Sequence, residues 1–331
     1  MLRILATLFI SLFAFSAIAA ETINILNVSY DPTREFYAEY NKLFTKHLQE
    51  KTGQVVNITQ SHGGSAKQAR SIIDGLKADV VTLALASDID AIAERTNILP
   101  KDWQSKLPGN STPYNSIVVF LIRKDNPKNI KDWNDLIRDD VSVLTPNPKT
   151  SGGSRWNYLA AWSYAMKENN NSEEEAKKFI TKLFKNVPIL DTGARGATTN
   201  FIKRNIGDVL ITWENEALFI KNKIGKDQFE IVIPSLSILA EPPVAVLETT
   251  AKQNGTESIA KNYLEYLYSK EAQEMIAEFY YRPSNQEIAA KYTGSFPAVP
   301  LVTIADFGGW KAADAKHFAD GGTFDQIYSA K

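Results

Sequence analysis

The stretch VSVLTPNPKTSGGSRWNYLAAWSYAMKEN, which runs from Val141 to Asn169, contains the pattern that decides the fold. Its β-branched beginning, Val141 to Leu144, predicts a buried strand, and the apolar spacing from Arg155 to Asn169 predicts a helix. A polar turn with two prolines and two glycines lies between them. A strand that passes through a short turn directly into a helix is the building unit of parallel sheets flanked by helices.

The same unit recurs along the chain, because short β-branched runs alternate with helical stretches. This alternation predicts an α/β fold with mostly parallel sheets. The predicted strands are Ile23 to Ser29, Val55 to Gln60, Val80 to Leu83, Ser116 to Arg123, Val141 to Leu144, Pro188 to Leu190, Val209 to Ile211, Glu230 to Ile233 and Val244 to Leu247. The clearest predicted helices are Thr33 to Lys51, Lys67 to Gly75, Arg155 to Asn169, Ser172 to Lys185 and Thr256 to Glu278.

Composition is that of a globular protein without a nucleic-acid partner. Of the 331 residues, 44% are hydrophobic and 23% are charged, which allows a substantial core. Lysine plus arginine number 37 and aspartate plus glutamate number 38, so no net field exists to recruit nucleic acid or an anionic membrane surface.

The first 20 residues differ from the rest and predict a cleavable signal peptide. Arg3 precedes an apolar run from Ile4 to small residues at Ala19 and Ala20, and cleavage is expected after one of these two alanines. An uncleaved anchor helix is the alternative, but the run is shorter than the ~20 residues that a membrane span needs. The chain has no cysteine, hence no disulfide and no thiol for a lipid anchor. We therefore expect a soluble protein in a Gram-negative periplasm.

Two proline-rich breaks predict that one lobe is inserted into another. Pro108 to Pro113 precedes the long strand pattern, and Glu241-Pro242-Pro243 interrupts the chain again. The expected lobes are residues 21–114 with 242–331, the latter including the C-terminal helices, and residues 115–241. Lobes joined by two crossings can hinge around a ligand.

Polar turns follow four of the predicted strands and lead directly into helices: Tyr30 to Thr33, Ser61 to Lys67, Asn147 to Arg155 and Asp191 to Gly196. In an open α/β sheet such turns gather at the carboxyl ends of the strands, where ligands bind. Helix N-termini present free N–H groups and a partial positive charge, so converging termini form an anion site. A single turn of this kind is explained as an ordinary helix cap, but four in succession favour an anion site. No phosphate loop or dinucleotide fingerprint is present, which disfavours nucleotides.

At these residues the sequence resembles the periplasmic sulfate-binding proteins of ABC importers, and the resemblance covers essentially the whole chain after the signal peptide. The motifs that carry it are Asn27 to Arg34, Gln60 to Ser65, Asn147 to Gly153, Gly193 to Gly196, Trp213 to Glu216 and Gly321 to Asp325. The resemblance implies the two-lobed type II solute-binding fold, a sulfate ligand, a membrane permease as partner, and a monomer that is not an enzyme and holds no cofactor or metal.

The resemblance also implies which groups hold the anion. Arg195 would stay off the ion and brace its turn. Ser154 departs from the alanine usual in the family, but it lies just past the binding turn. The expected ligands are the backbone amides of Asp31, Ser65, Gly152, Gly153 and Ala194, the hydroxyl of Ser151 and the indole N–H of Trp213.

Such a set of neutral donors suits a fully ionised tetrahedral dianion, which has only acceptor oxygens. Phosphate keeps a proton at neutral pH, and a site without an inward carboxylate leaves that proton unpaired. Asp31 therefore decides the choice: an outward carboxylate, expected to cap its own helix, favours sulfate, whereas an inward one favours phosphate.

Several alternatives stay open at this stage. Thiosulfate and molybdate are related tetrahedral anions, and a tryptophan placed like Trp213 is often a core residue. An exported hydrolase would use Ser151 or Ser65 as nucleophile, but no Gly-x-Ser-x-Gly elbow accompanies His62. The pair Tyr280-Tyr281 resembles the tyrosines of ferric-ion-binding relatives, but a histidine and carboxylate set is missing nearby.

Overall fold

The computed structural model describes residues 22–329, and the predicted signal peptide lies outside this range. The strands are β1 Ile23–Tyr30, β2 Val56–Gly63, β3 Val80–Thr82, β4 Tyr114–Arg123, β5 Val143–Leu144, β6 Val209–Trp213, β7 Phe229–Val232, β8 Ser237–Ala240, β9 Val244–Val246, β10 Arg282–Pro283 and β11 Leu301–Val302. Across residues 22–329, helices that combine the length and the apolar character of a membrane span are absent.

The helices cover both sheets and the C-terminal region. The α-helices are α1 Arg34–Thr52, α2 Ser65–Ile73, α3 Ala86–Arg95, α4 Pro108–Ser111, α5 Gly152–Glu168, α6 Glu173–Lys185, α7 Ala194–Ile202, α8 Glu214–Phe219, α9 Glu248–Gln253, α10 Glu257–Tyr266, α11 Lys270–Glu278, α12 Gln286–Lys291, α13 Trp310–Ala313 and α14 Thr323–Ser329. Short 3₁₀ turns span Asp31–Thr33, Trp103–Lys106, Trp133–Ile137 and Ile304–Phe307, and π-helical turns span Ile220–Ile224 and Asp314–Phe318.

The strands form two sheets. The first has the order β2-β1-β3-β9, in which β1 is parallel to β2 and β3 while β9 is antiparallel to β3. The second has the order β11-β8-β4-β6-β5, and β7 and β10 also pair with β4. Every strand that pairs with β4 runs antiparallel to it, so the second sheet is less parallel than the sequence predicts.

Strand β4 is central in the second sheet, and its residues are apolar on both faces. Val118 and Phe120 point into one hydrophobic cluster, whereas Ile117 and Val119 point into another. This alternation follows from the two-residue period of a strand, and burial on both faces explains the unbroken apolar run in the sequence.

Helix α5 is buried around most of its circumference. Trp156 and Leu159 are fully inaccessible, and Trp156 donates from its indole Nε1 to the carbonyl of Ala84 at 3.0 Å. The helix begins at Gly152, three residues before the predicted start, because the side chain of Ser151 accepts a hydrogen bond from the amide of Ser154.

Two predicted elements differ from the structure. Pro188 to Leu190 is not a strand, because proline lacks the N–H that a ladder needs. The residues on either side of the segment do accept hydrogen bonds: Val143 N donates to Asn186 O at 2.9 Å and Asn147 N donates to Asp191 O at 2.8 Å. The helix predicted from Thr256 to Glu278 is two helices, because Ser269 caps α11 through its hydroxyl, 3.1 Å from the amide of Ala272.

The chain crosses between the sheets just before β4 and again between β8 and β9, close to the two proline-rich breaks. It crosses a third time after β9, since β10 pairs with β4. The last segment contacts the second sheet, since β11 pairs with β8 and Trp310 packs edge-on against Trp156. The lobe boundaries at residues 114 and 241 stay a prediction.

Candidate functional site

The predicted polar turns meet at the carboxyl ends of the strands. A β-carbon placed on Gly64 would lie 3.0 Å from the carbonyl oxygen of Thr150 and 3.6 Å from that of Thr192. The hydroxyl of Thr150 also donates to the Thr192 carbonyl at 2.9 Å. The turns before α2, α5 and α7 are therefore in direct contact.

The predicted amide donors lie at helix starts. Ser65, Gly152 and Ala194 are the first residues of α2, α5 and α7, and Asp31 begins a 3₁₀ turn. The first N–H groups of a helix have no partner within it. Outside their own helices, the amides of Gly152 and Ala194 make no hydrogen bond to an acceptor among the described residues, whereas the amide of Gly153 donates to the Tyr30 hydroxyl. The Gly152 and Ala194 donors are therefore available to a ligand.

Gly153 packs closely against the side chains of Tyr30 and Trp213. A β-carbon there would lie 2.0 Å from the hydroxyl oxygen of Tyr30 and 3.6 Å from the indole Nε1 of Trp213. The Trp213 Nε1 donates a long hydrogen bond of 3.4 Å to the Gly153 carbonyl, and the Tyr30 and Trp213 rings lie 5.5 Å apart. Only glycine fits between these two rings.

Gly152 faces the first sheet. Its β-carbon would lie 2.9 Å from that of Ala84 and 3.0 Å from that of Ser65. The buried Ser65 hydroxyl accepts a hydrogen bond from the amide of Ala84 at 3.0 Å, which holds the start of α2 against this segment. The N-termini of α2 and α5 are thus packed together.

Within the part of the chain that the structure describes, the Ser151 hydroxyl accepts one hydrogen bond and donates none. Its Oγ accepts a hydrogen bond of 3.4 Å from the amide of Ser154, and the side chain is buried. A hydroxyl has one proton to donate as well as lone pairs. Ser151 can cap its helix and donate to an anion at the same time.

A small cavity of ≈ 10 Å³ lies among these groups. Tyr30, Gly153, Ala194 and Trp213 contribute to its lining, together with Glu216. Three of the seven predicted ligands, Gly153, Ala194 and Trp213, therefore line the same cavity although they come from separate elements.

Glu216 is a neighbour that the sequence reasoning did not assign, although it ends the quoted motif Trp213 to Glu216. Its Oε2 accepts a hydrogen bond from the Thr212 hydroxyl at 3.2 Å. Burial raises the pKa of Glu216 to about 7, and the charge of Arg195 partly opposes this rise.

The Asp31 carboxylate lies on the outer side of the site. It pairs with Arg34 at 2.9 Å and lines a separate, larger cavity of ≈ 530 Å³ together with Gly64 and Thr150. The predicted cap is wrong, because Tyr30 is the N-cap residue of the 3₁₀ turn and no side chain caps it. The ion pair with Arg34 holds the carboxylate instead.

Arg195 reaches across to the first helix. Its Nη2 donates to both oxygens of Glu35, at 2.8 and 2.9 Å, so α7 is tied to α1. The side chains of Arg195 and Glu35 are each 36% exposed. Arg195 thus neutralises a neighbouring carboxylate.

The side chains that the two rival functions, an exported hydrolase and a ferric-ion-binding protein, would need have other partners. The His62 Nε2 pairs with Gln60 Oε1 at 2.9 Å, and burial with the nearby Arg34 charge lowers the His62 pKa to about 4. The Tyr281 hydroxyl donates to the Pro32 carbonyl at 3.4 Å inside the aromatic core. Within residues 22–329 no group of three or more histidine, cysteine, aspartate or glutamate side chains could hold a metal ion.

This chain is similar to known proteins over most of its length. The family model described as bacterial extracellular solute-binding protein matches residues 25–282. A sulfate-binding protein of Escherichia coli (strain K12) is 59% identical over 317 residues, which cover 96% of each chain. A thiosulfate-binding protein of Pseudomonas aeruginosa is 52% identical over 306 residues, which cover 92% of each. The solved structure of the sulfate-binding protein SubI from Mycobacterium tuberculosis H37Rv has a TM-score of 0.80 at 31% identity, covering 88% of this chain and 98% of that one.

Proposed function

This chain belongs to the family of bacterial extracellular solute-binding proteins, and from that premise we propose that it captures sulfate and delivers the ion to an ABC-type permease. The observation that carries the proposal is the start of α5, where the Gly152 amide has no acceptor within residues 22–329 and the Trp213 indole lies beside Gly153. The protein acts by capture and release, since its family is one of solute-binding proteins and not of enzymes.

The physical support is the match between the donors and a dianion. Sulfate has four acceptor oxygens and no proton at neutral pH, so neutral N–H and O–H donors satisfy it without a cationic side chain. The partial charge at each helix N-terminus adds to their attraction. The proposed ligands are the amides of Asp31, Ser65, Gly152, Gly153 and Ala194, the hydroxyl of Ser151 and the indole N–H of Trp213.

Selection against phosphate follows from the carboxylates near the site. The Asp31 carboxylate is paired with Arg34 on the outer side, so it does not offer an acceptor to a phosphate proton. Glu216 lines the small cavity, but its pKa of about 7 would rise further beside a dianion because like charges repel. A protonated carboxyl is a weaker acceptor than a carboxylate, and this disfavours binding of the phosphate proton.

Thiosulfate is the second candidate, because the thiosulfate-binding relative is 52% identical to this chain. Thiosulfate is also a tetrahedral dianion, with one larger terminal sulfur. The same donors would bind it, and the preference then depends on the size of the small cavity.

We propose that binding closes two lobes, residues 22–114 with 242–300 and residues 115–241 with 301–329. The last segment is assigned to the second lobe because β11 pairs with β8. The Arg195 to Glu35 pair would stabilise the closed arrangement by joining α7 to α1. The protein would work as a monomer in the periplasm, after removal of residues 1–20.

The proposal is tested by equilibrium dialysis of the mature protein with radiolabelled sulfate, in competition with thiosulfate, phosphate and molybdate. Sulfate should be displaced by excess thiosulfate and not by equal phosphate. Stronger competition by phosphate than by sulfate itself would contradict the proposal, and stronger competition by thiosulfate would favour the second candidate.

A further inference from the structure

Lys149 lies two residues before Ser151, in the turn that leads into α5, and its ammonium group is fully occupied. The Nζ donates to the carboxylate of Asp320 at 3.0 Å, to that of Asp325 at 3.0 Å and to the carbonyl of Phe318 at 3.1 Å. An ammonium group has three N–H donors, so three acceptors satisfy it completely. No donor of Lys149 is left for a ligand.

The C-terminal turn that supplies these acceptors is held by its own hydrogen bonds and close contacts. Gly321 has a φ of +74°, which glycine adopts without strain, and its amide donates to Asp325 Oδ2 at 2.8 Å. A β-carbon on Gly322 would lie 2.8 Å from the carbonyl oxygen of Ala319. The motif Gly321 to Asp325, which the anion site itself does not use, therefore directs the Asp325 carboxylate at Lys149, and Asp320 precedes the motif directly.

The other end of the connection is the anion-binding turn. The amides of Thr150 and Ser151 donate to the Asn147 carbonyl at 3.1 and 2.8 Å, and the amide of Lys149 donates to Asn147 Oδ1 at 2.9 Å. The backbone around Lys149 is thus one hydrogen-bonded unit with Ser151. A displacement of the Lys149 side chain would therefore also move Ser151, which directly precedes the first amides of α5.

We propose that Lys149 is a positioning residue, which the carboxylates of Asp320 and Asp325 hold so that the Ser151 hydroxyl and the Gly152 and Gly153 amides point at the anion. The inference rests on the proposed function, and it gives the C-terminal segment a role in ligand affinity. This positioning role differs from the simpler expectation that a lysine near an anion site attracts the anion by its charge.

Charge substitutions of opposite sign separate the two roles. Lys149→Met removes a positive charge and Asp325→Asn removes a negative one. A positioning role predicts that both variants bind sulfate about tenfold more weakly, as for one lost charge-assisted hydrogen bond, through faster dissociation, and that the double variant is no worse than either. An attracting charge predicts that Lys149→Met weakens binding while Asp325→Asn strengthens it.

The measurement is stopped-flow tryptophan fluorescence with sulfate, combined with hydrogen exchange of residues 147–153 in the ligand-free protein. Lys178→Met is the matched control, because Lys178 contacts Glu174 and Glu175 at 2.8 Å each on the exposed side of α6. It should leave both readouts unchanged. Lys149→Arg, which keeps the charge and the donors, should restore affinity, and the milder Asp320→Asn is available if Asp325→Asn fails to fold.

Opposite shifts in affinity for Lys149→Met and Asp325→Asn would overturn the proposal. So would unchanged affinity with a lower melting temperature, which would mean a purely structural contact. If the unmodified protein bound no sulfate, the proposed function would fall. Hydrogen exchange would still test the positioning role of Lys149 in that case, because this role requires faster exchange of residues 147–153 in both variants.

Discussion

Replacement of Gly153 by alanine tests the closest contact of the site. The new β-carbon would lie 2.0 Å from the Tyr30 hydroxyl oxygen, far inside any real contact distance. Tyr30 is 1% exposed and packs against Trp213, so the hydroxyl cannot move aside freely. Either Tyr30 or the start of α5 must shift, and overpacking of this kind costs about 1–3 kcal/mol.

A shift of α5 displaces the Gly152 and Gly153 amides from the anion. Loss of one charge-assisted hydrogen bond costs about 1.5–3 kcal/mol, so the Kd for sulfate should rise roughly 10- to 150-fold. Titration calorimetry of the Gly153→Ala protein measures this change. Gly193→Ala is the matched control, because Gly193 precedes Ala194 at extended φ and its β-carbon would meet nothing within 4 Å.

A second substitution identifies the atom responsible. The next Tyr30 atom, the ring carbon Cζ, lies 3.2 Å from the position that the new β-carbon would take, so Tyr30→Phe removes the main clash. The double variant Gly153→Ala with Tyr30→Phe should recover most of the lost affinity. Unchanged sulfate affinity in Gly153→Ala would refute the placement of this amide in the site.

Three further predictions concern single side chains. Ser151→Ala should weaken sulfate binding by about 1–3 kcal/mol in calorimetry, and equal affinity would remove the hydroxyl from the ligand set. Asp79→Ala should lower the free energy of unfolding by about 3 kcal/mol in urea, because the buried carboxylate accepts from the Leu26 amide at 2.7 Å and from Asn254 at 3.0 Å. Burial lowers the pKa of His317 from 6.5 to about 4, so folding disfavours its charged form and stability should fall by about 3 kcal/mol as the pH drops from 6.5 to 4. His317→Phe should remove that part of the pH dependence, and an unaltered pH profile would contradict it.

The fold was predictable where the local pattern and the tertiary structure agree. The run from Ser116 to Arg123 is apolar on both faces because β4 is central, and Ser151 both ends the binding turn and caps α5. The predicted α/β class and the family resemblance are confirmed. The turns were therefore predictable from residue types that favour helix starts, and the motifs in those turns indicated the family.

The parts that were not predictable depend on contacts between distant residues. Nothing local shows that Tyr30 abuts Gly153 or that Glu216 shares their cavity, because these contacts form only when separate elements pack together. Ser269 divides a continuous helical pattern through its cap, which the pattern itself does not reveal. Asp31 has a suitable residue type for a cap, yet Arg34 pairs with it instead.

The most direct test of the central claim is a crystal structure of the mature protein grown with sulfate as the only divalent anion. The account predicts tetrahedral density within hydrogen-bond distance of the Gly152, Gly153 and Ala194 amides, the Ser151 hydroxyl and the Trp213 indole. Density held instead by Arg34 and Lys67 in the outer cavity, with no ion beside Gly153, would contradict it.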